Sequence, residues 1–368
     1  MRPPDRPSAH LSPEADRAAG GGFGSAPESP LVTVLITAYN RPEELRTTLD
    51  ALRAQTHPAL DVLVIDDGSA DSLEPVVRAA WPGARFVRNA RNLGYIANRS
   101  RGMADARGAY VLTLDDDSCP VAPDAIARAV ARMEREREVG VLAFRVHEGL
   151  EPPDPEAPAP AEQYTFAFIG CGVMMRTAVA REIGAYRDYF EYYKEEAEYA
   201  LRVLDAGHRI LYAPELVVHH RLSPVGRSAA RIAAYSFRNS VWTAVLTLPA
   251  PRVAGEAAWK AAIGAVEMAR QGSARWFAWG VASMFRGLPR VLRDRAPMSP
   301  AGVRAYQALR FRQIRSAAAL VDARPPSWGE RVHWFRTVWL RRGRPRAAWD
   351  PRPGRLGAGA WTTRAAEE

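Results

Sequence analysis

The chain has 368 residues, of which 47% are hydrophobic and 25% charged, with a net charge of +9. That composition suits a soluble protein of two domains, or of one domain with additions, and excludes a wholly disordered or collagen-like chain. No run approaches the ~18 apolar residues of a membrane-spanning helix, residues 1–30 contain no apolar signal core, and the two cysteines, Cys119 and Cys171, imply no disulfide framework, so a cytoplasmic protein is expected.

Residues 1–30, rich in Pro, Gly, Ser and Ala, read as a disordered leader. From Leu31 short apolar runs alternate with helical stretches. Strands are expected over Val32–Ala38, Asp61–Ile65, Ala84–Val87, Tyr110–Leu114 and Val139–Val146, with helices over Pro42–Ala54, Ser72–Ala80, Tyr95–Ala106 and Pro123–Arg137. This alternation predicts an α/β fold on an open, mostly parallel sheet flanked by helices, in which ligands bind beyond the carboxyl ends of the strands. Glu151–Pro160 is proline-rich and predicts an exposed loop. A strand over Tyr164–Met175, a helix over Lys194–Ala206 and one or two strands over Arg209–His220 complete a domain spanning 31–225. A helical C-terminal region follows over 226–345, with helices at Ser228–Leu248, Val253–Gln271, Ala274–Arg293, Pro300–Val321 and Trp328–Arg341. Residues 346–368 read as a disordered tail.

The charge divides along the same line. Residues 1–220 carry 24 Lys and Arg against 33 Asp and Glu, whereas residues 221–368 carry 26 against 8, and nine of the ten tryptophans follow residue 240. Two halves so different imply two different jobs.

The first strand ends in Thr37-Ala38-Tyr39-Asn40-Arg41-Pro42 with no glycine, which excludes a dinucleotide-binding turn, and the P-loop pattern is absent. The second ends in Asp66-Asp67-Gly68-Ser69 and the fourth in Asp115-Asp116-Asp117. Five carboxylates at two strand ends repel one another unless cations or donors compensate them. Oxygen donors suit Mg²⁺ or Mn²⁺, which also bridges phosphate oxygens. The plainer alternative is a pair of solvated turns, with Asp67 or Ser69 capping the next helix.

A second acidic group, Glu191, Glu195, Glu196 and Glu198, surrounds the helix start at Lys194. Glu195 and Glu198 share a face there while Glu196 points elsewhere, although the helix dipole alone also favours acids at that end. His219 and His220 end the next strand on opposite faces. Gly170-Cys171-Gly172 either allows a close backbone approach or marks a bulge.

These segments resemble family 2 glycosyltransferases of the GT-A fold. The motifs that carry the resemblance are VTVLITAYNRPEEL, LVIDDGSADS, RNLGYIANRSRGM, YVLTLDDDSCP, FIGCGVMMRTAVAREIGAY and YYKEEAEYALRVLDAGHRILYAPELVVHH, in family order over about residues 31–223. The resemblance implies a GT-A-type α/β domain that moves a sugar from a nucleotide-diphospho-sugar to an acceptor hydroxyl on a glycan, a lipid-linked carrier or a small molecule. It further implies inversion, Mg²⁺ or Mn²⁺ as cofactor, and a hexosyl- or deoxyhexosyltransferase of polysaccharide or cell-envelope synthesis.

Residue by residue, it implies that Thr37, Tyr39 and Asn40 line the nucleotide pocket, and that Asp67, or Asp66 beside it, reads the base. Arg99 contacts nucleotide or phosphate. Asp115 touches the ribose or the metal's water shell, and Asp116 stands with the nucleotide-sugar contacts. Asp117 binds the metal with His219, or with His220 as the other candidate. Glu196 takes the catalytic-base position, and Gly170, Cys171, Gly172 and Glu195 lie on the acceptor side. Two positions depart from the pattern: Glu196 where Asp is usual, and Ser100 where Asn is common. A sugar nucleotidyltransferase would also use paired Asp and Mg²⁺, but the Gly-rich basic loop it needs after the first strand is missing. An inactive nucleotide-sugar or glycan-binding module would have lost the acids that are retained here.

The helical half lies outside the resemblance. Ala274–Leu288 places Trp276, Phe277, Trp279, Met284 and Phe285 between Arg275 and Arg286, and Trp328–Arg346 combines Trp334, Phe335 and Trp339 with Arg331, Arg336, Arg341, Arg342, Arg344 and Arg346. Aromatic residues with arginine suit an anionic membrane surface, which implies a peripheral location at its inner face. They equally suit a bundle packed on the catalytic domain. Nucleic acid is not an expected partner, because no binding motif appears.

Overall fold

The computed structural model describes residues 29–154, 157–222, 228–270, 272–321 and 323–335. The expected leader up to residue 28, the tail, and the arginines at 336, 341, 342, 344 and 346 lie outside the described residues.

The core of the fold is the β-branched run of β1 (Val32–Ala38), buried along its whole length. Such a strand must be covered on both faces, and helices cover it. It pairs in parallel with β2 (Leu60–Asp66) and β4 (Tyr110–Asp115), and β2 pairs in parallel with β3 (Arg85–Arg88). The connecting helices are α1 (Pro42–Arg53), α2 (Glu74–Ala80) and α3 (Tyr95–Ala104). Proline and two acids open α1, as the helix N-terminus favours. The register sets Ala38 beside Asp66 and Thr37 beside Asp115, so the polar strand ends finish level.

The other half of the sheet is mixed. β5 (Ser118–Pro120) precedes α4 (Ala125–Arg135) and β6 (Val139–Glu148), followed by β7 (Gln163–Thr165), β8 (Val173–Arg176), α5 (Thr177–Ile183), α6 (Glu195–Asp205) and β9 (Arg209–His220). Among the described residues nine strands form one sheet in the order β3-β2-β1-β4-β8-β6-β9-β5, with β7 also on β9. β6 and β9 are parallel, whereas β8 runs antiparallel to β4 and β6, and β5 and β7 run antiparallel to β9.

Two expected elements are divided. The strand predicted over Tyr164–Met175 is β7 and β8, separated by a loop in which the Gly172 N–H turns back to the Ile169 carbonyl at 3.1 Å. Phe166 and Phe168 of that loop are buried, so its hydrophobicity reflects core packing and not strand pairing. The helix predicted over Pro300–Val321 is α10 (Pro300–Phe311) and α11 (Ala317–Val321). Ile314, between them, bridges to Tyr164, and its carbonyl accepts the Tyr164 N–H at 2.7 Å. A contact to a residue far away in sequence therefore ends the helix.

The C-terminal helices α7 (Ala229–Thr247), α8 (Ala250–Arg270), α9 (Ala274–Arg293), α10, α11 and α12 (Trp328–Phe335) complete the described chain. Their apolar faces join the core of the sheet: Trp242, Leu246, Val291, Val303, Tyr306 and Leu309 belong to the same buried cluster as Leu35 and Ile36. Trp242 lies 6.0 Å from the Tyr189 ring and 6.1 Å from Phe190, and its indole N–H donates to the Met284 carbonyl at 3.0 Å. Trp279 stacks on Tyr235 at 4.5 Å, whereas Phe277, Phe285 and Leu292 of the same helix stay exposed. No helix among the described residues is long and apolar enough to cross a membrane.

Because Trp242 joins two helices to the turn at 189–190, Trp242→Ala should lower stability by about 3–5 kcal/mol, as truncation of a buried aromatic does. Urea unfolding of the full chain measures this.

Candidate functional site

The polar residues after β1 and β4 converge. Arg41 donates from one nitrogen to Asp116 Oδ1 and Asp117 Oδ2, both at 3.1 Å, and the Tyr39 N–H donates to Asp116 Oδ2 at 3.2 Å. Burial pushes the Asp116 carboxyl up to about 7, with Asp117 and Asp115 adding to the shift and Arg41 opposing it. Asp117 is fully buried, and its Oδ1 lies 3.1 Å from His220 Nε2.

β9 decides between the two histidines. His220 pairs with Ser118 and faces the acids, whereas His219 turns to the other side, where its Nε2 meets the Gly149 carbonyl at 2.8 Å and its ring lies 5.7 Å from His147. His219, the first candidate from sequence, is therefore away from the carboxylates, and strand alternation brings His220 to them. Burial alone would lower the His220 pKa, but Cys171 and Asp117 beside it outweigh that and hold it well above the ordinary value.

Ligand atoms of Asp115, Cys171 and His220 lie within 4.8 Å of one another. Burial raises the Cys171 thiol pKa, and His220 beside it opposes that shift. The Asp115 carboxylate, Asp117 at 3.1 Å from His220, and the His220 imidazole once a bound cation displaces its proton form a donor set that fits a divalent cation.

The other strand-end acids behave differently. Asp66 accepts from the Ser69 N–H at 2.9 Å and the Leu73 N–H at 3.3 Å. Asp67 accepts from the backbone of Leu93 (2.8 Å) and Gly94 (2.9 Å) and from the Asn89 amide (2.9 Å). Both hold turns, so the expected five-acid group separates into two acids that shape loops and three that gather with Arg41, Arg99 and His220. Thr37 is buried in β1, Asn40 ties its N–H to Ser69 and its side-chain oxygen to the Ala70 N–H, and the Tyr39 side chain is exposed.

Arg99 joins the acids of β4 to those of α6. It is 2% exposed, donates to Asp115 Oδ1 at 2.5 Å and Glu195 Oε1 at 3.5 Å, and lies 3.9 Å from Glu196 Oε1. Burial, with Glu196 adding to it, holds the Glu195 carboxyl well above the usual range, and the Tyr95 hydroxyl donates to it at 3.0 Å. Glu196 is the more open of the pair and accepts the Gly170 N–H at 3.2 Å. A Cβ on Gly170 would fall 2.2 Å from the Arg99 guanidinium, so glycine is required for a close approach to the protein's own arginine. Glu198 serves structure, pairing with Arg187 at 2.8 Å and Arg202 at 2.9 Å.

The turn that presents these acids is strained. Glu191, Tyr193 and Lys194 have φ of 60°, 60° and 69°, a region that costs a non-glycine residue roughly 1–2 kcal/mol. Asn239 of α7 holds it, its amide spread over the carbonyls of Phe190 (2.9 Å), Tyr192 (2.9 Å) and Tyr193 (2.7 Å). Arg238 bonds the Phe190 carbonyl at 2.7 Å and Glu191 at 2.9 Å, its guanidinium 4.3 Å from the Trp242 ring. Sequence reasoning missed both residues. Their only signal is an Arg-Asn pair inside an apolar helical run.

Comparison with known proteins places this geometry. The family described as glycosyl transferase family 2 matches residues 33–182. The chain is 33% identical over 106 residues to the succinoglycan biosynthesis protein ExoO of Rhizobium meliloti, covering 28% of this chain and 30% of that protein. It is 38% identical over 90 residues to the amylovoran biosynthesis glycosyltransferase AmsB of Erwinia amylovora, covering 23% and 30%. It thus spans about a third of the length of these curated relatives. Among solved structures, S. aureus TarS 1–349 matches with a TM-score of 0.51 at 15% identity, over 71% of this chain and 82% of that one. GalNAc-T7, solved with UDP, GalNAc and Mn²⁺, matches with a TM-score of 0.50 at 18% identity, over 61% and 49%. The fold is of the GT-A type that the motifs imply.

Removing the Asn239 donor should release the strained turn. Asn239→Ala leaves buried carbonyls without their partner, and stability should fall by about 1–3 kcal/mol in urea unfolding.

Proposed function

From the premise that residues 33–182 form a family 2 glycosyl transferase segment, we propose that the chain transfers a sugar from a nucleotide-diphospho-sugar to an acceptor hydroxyl. The observation that carries this reading is the arrangement around Arg99: Asp115 on one side of its guanidinium and Glu195 and Glu196 on the other, at the carboxyl edge of the sheet. Donor and acceptor then meet across one buried cation.

The donor diphosphate lies against Asp115, Asp116, Asp117 and His220, with the nucleoside towards Thr37, exposed Tyr39, Asn40 and the turn held by Asp66 and Asp67. Asp115, Asp117 and His220 would hold Mg²⁺ or Mn²⁺, which offsets charge growing on a leaving diphosphate. That GalNAc-T7 was solved with UDP and Mn²⁺ supports this choice.

An acceptor hydroxyl is a weak nucleophile near neutral pH, so a carboxylate must take its proton during attack. Glu196 is the group for this step, because Glu195 is buried and held towards its neutral form while Glu196 keeps partial access to solvent. The Gly170 N–H orients the Glu196 carboxylate, and Arg99 positions Asp115 and Glu195. One base opposite the leaving group makes the displacement in-line and inverts the anomeric centre. The names of ExoO and AmsB support a glycan acceptor in polysaccharide synthesis. Exposed Phe277, Phe285 and Leu292, with Arg275, Arg286 and Arg293 on the same helix, support work close to an anionic membrane surface.

Calorimetry with UDP or GDP and Mn²⁺ tests the donor side: Asp117→Asn should abolish the metal-dependent part of binding, and unchanged affinity would remove Asp117 from the metal site. For the acceptor side, Glu196→Gln should keep donor affinity while turnover of the donor falls by roughly 10²–10⁴, the usual share of a general base. Turnover that survives the change places the base elsewhere.

A further inference from the structure

Helix α9 has three faces. On one, Gly280, Ser283 and Val291 are buried against the protein. On the next, Ala274, Phe277, Ala278, Phe285, Pro289 and Leu292 are exposed, and at ~100° per residue they fall within one sector of about 120°. Nothing polar interrupts that sector. The helix contains no Asp or Glu, and its one hydroxyl, Ser283, is buried and donates to the Gly280 carbonyl at 3.2 Å. On the third face Arg275, Arg286 and Arg293 form an exposed row beside the apolar one, with Arg290 at its inner edge.

From Ala274 to Leu292 the apolar strip is about 27 Å long, at ~1.5 Å per residue. Its largest side chains stand well out of the protein, Phe285 at 62% and Leu292 at 54% exposure. Such a strip is costly in water unless something covers it. The arginines decide what does. A second copy packing α9 on α9 would set one arginine row beside another with no acid on either helix. The chain beyond residue 335 carries eight arginines against three acids, so the row repels it too. A bilayer with anionic headgroups satisfies both faces at once: the acyl boundary takes Phe277, Phe285 and Leu292, and the phosphates take the arginines. α9 is not apolar enough to cross a bilayer, so it lies in the plane of the surface.

We propose that α9 is an in-plane docking helix that seats the protein on an anionic lipid surface, with its Phe277–Phe285–Leu292 strip in the acyl boundary and Arg275, Arg286 and Arg293 at the headgroups. The proposal deepens the membrane part of the proposed function and rests on it. Docking through this face also orients the site. On the side of α9 away from the strip, Arg290 donates to Asp188 Oδ1 at 3.0 Å and its guanidinium lies 4.2 Å from the Tyr189 ring. The Trp242 indole ties α7 to the same helix through the Met284 carbonyl. α9 is thereby fixed to the turn at 188–190, from which the chain runs directly into Glu195 and Glu196. The acceptor side is then held about one helix diameter, roughly 10 Å, above the lipid, which suits an acceptor carried on a lipid anchor.

Flotation of the full chain with vesicles of phosphatidylcholine, with and without phosphatidylglycerol, tests the docking. The protein should float with phosphatidylglycerol at low salt, and less as salt rises, because screening weakens the attraction to the headgroups. Arg275→Gln, Arg286→Gln and Arg293→Gln together should weaken partitioning by roughly 10²-fold, the share of three basic residues at an anionic surface. Phe285→Ser with Leu292→Gln should weaken it at least about tenfold. All five side chains are exposed, so urea unfolding of both variants should match the wild type. Variants that float as the wild type does overturn the assignment to α9 and leave the membrane reading standing. A wild type that does not float with phosphatidylglycerol at low salt overturns both. Ultracentrifugation without lipid tests the other occupant: a dimer that Phe285→Ser dissociates assigns the face to a second copy and overturns the proposal. UDP and GDP titrations with Mn²⁺ on the same wild-type protein test the transferase reading separately, and the flotation result stands whichever way they fall.

Discussion

Arg99 sits on α3 with its guanidinium 2% exposed, touching Asp115 at the end of β4 and Glu195 and Glu196 at the start of α6. Three carboxylates drawn from positions 16 and 96 or more residues away could not gather in so buried a place without it. Their mutual repulsion and lost hydration would raise their pKa values or push the elements apart. The same cation sets secondary constraints. Residue 170 must be glycine because a Cβ would meet the guanidinium, and Tyr95 stacks 4.8 Å from it while bonding Glu195. The parallel half of the sheet, with the acid at the end of β4, is thereby locked to α6.

The second constraint comes from outside the residues that match the family model. Three left-handed residues precede α6, and this strain persists because α7 over-determines the turn through Asn239 and Arg238. The helical half is thus part of the site's construction. Trp242 packs within the core that is continuous with that of the sheet, and Trp279 packs against a second cluster of Ala233, Ala234, Phe237 and Met268. The tryptophan enrichment has in part a packing cause, while Phe277, Phe285 and Leu292 of α9 stay exposed.

Much of the architecture was legible in the chain. β1 has the expected bounds, and alternation of strands with helices identified the sheet and the edge where the acids lie. Both follow from local rules: side-chain period, β-branched runs, and turn residues at strand ends. The same rules required His219 and His220 to face opposite ways, but not which way each would face. That phase comes from the pairing of β9 with β5, a contact about 100 residues apart in sequence.

The tertiary structure decided what depends on remote neighbours. It divided the Tyr164–Met175 run, ended the helix after Phe311, and separated Asp66 and Asp67, whose oxygens bond loop N–H groups, from Asp115, Asp116 and Asp117. The sequence by itself determined the elements, the fold class and the chemistry of the strand ends, because those depend on residues a few positions apart. Which carboxylate is buried, which is paired and which stays open to solvent depends on the groups brought in from elsewhere in the chain, and only the folded structure supplies them.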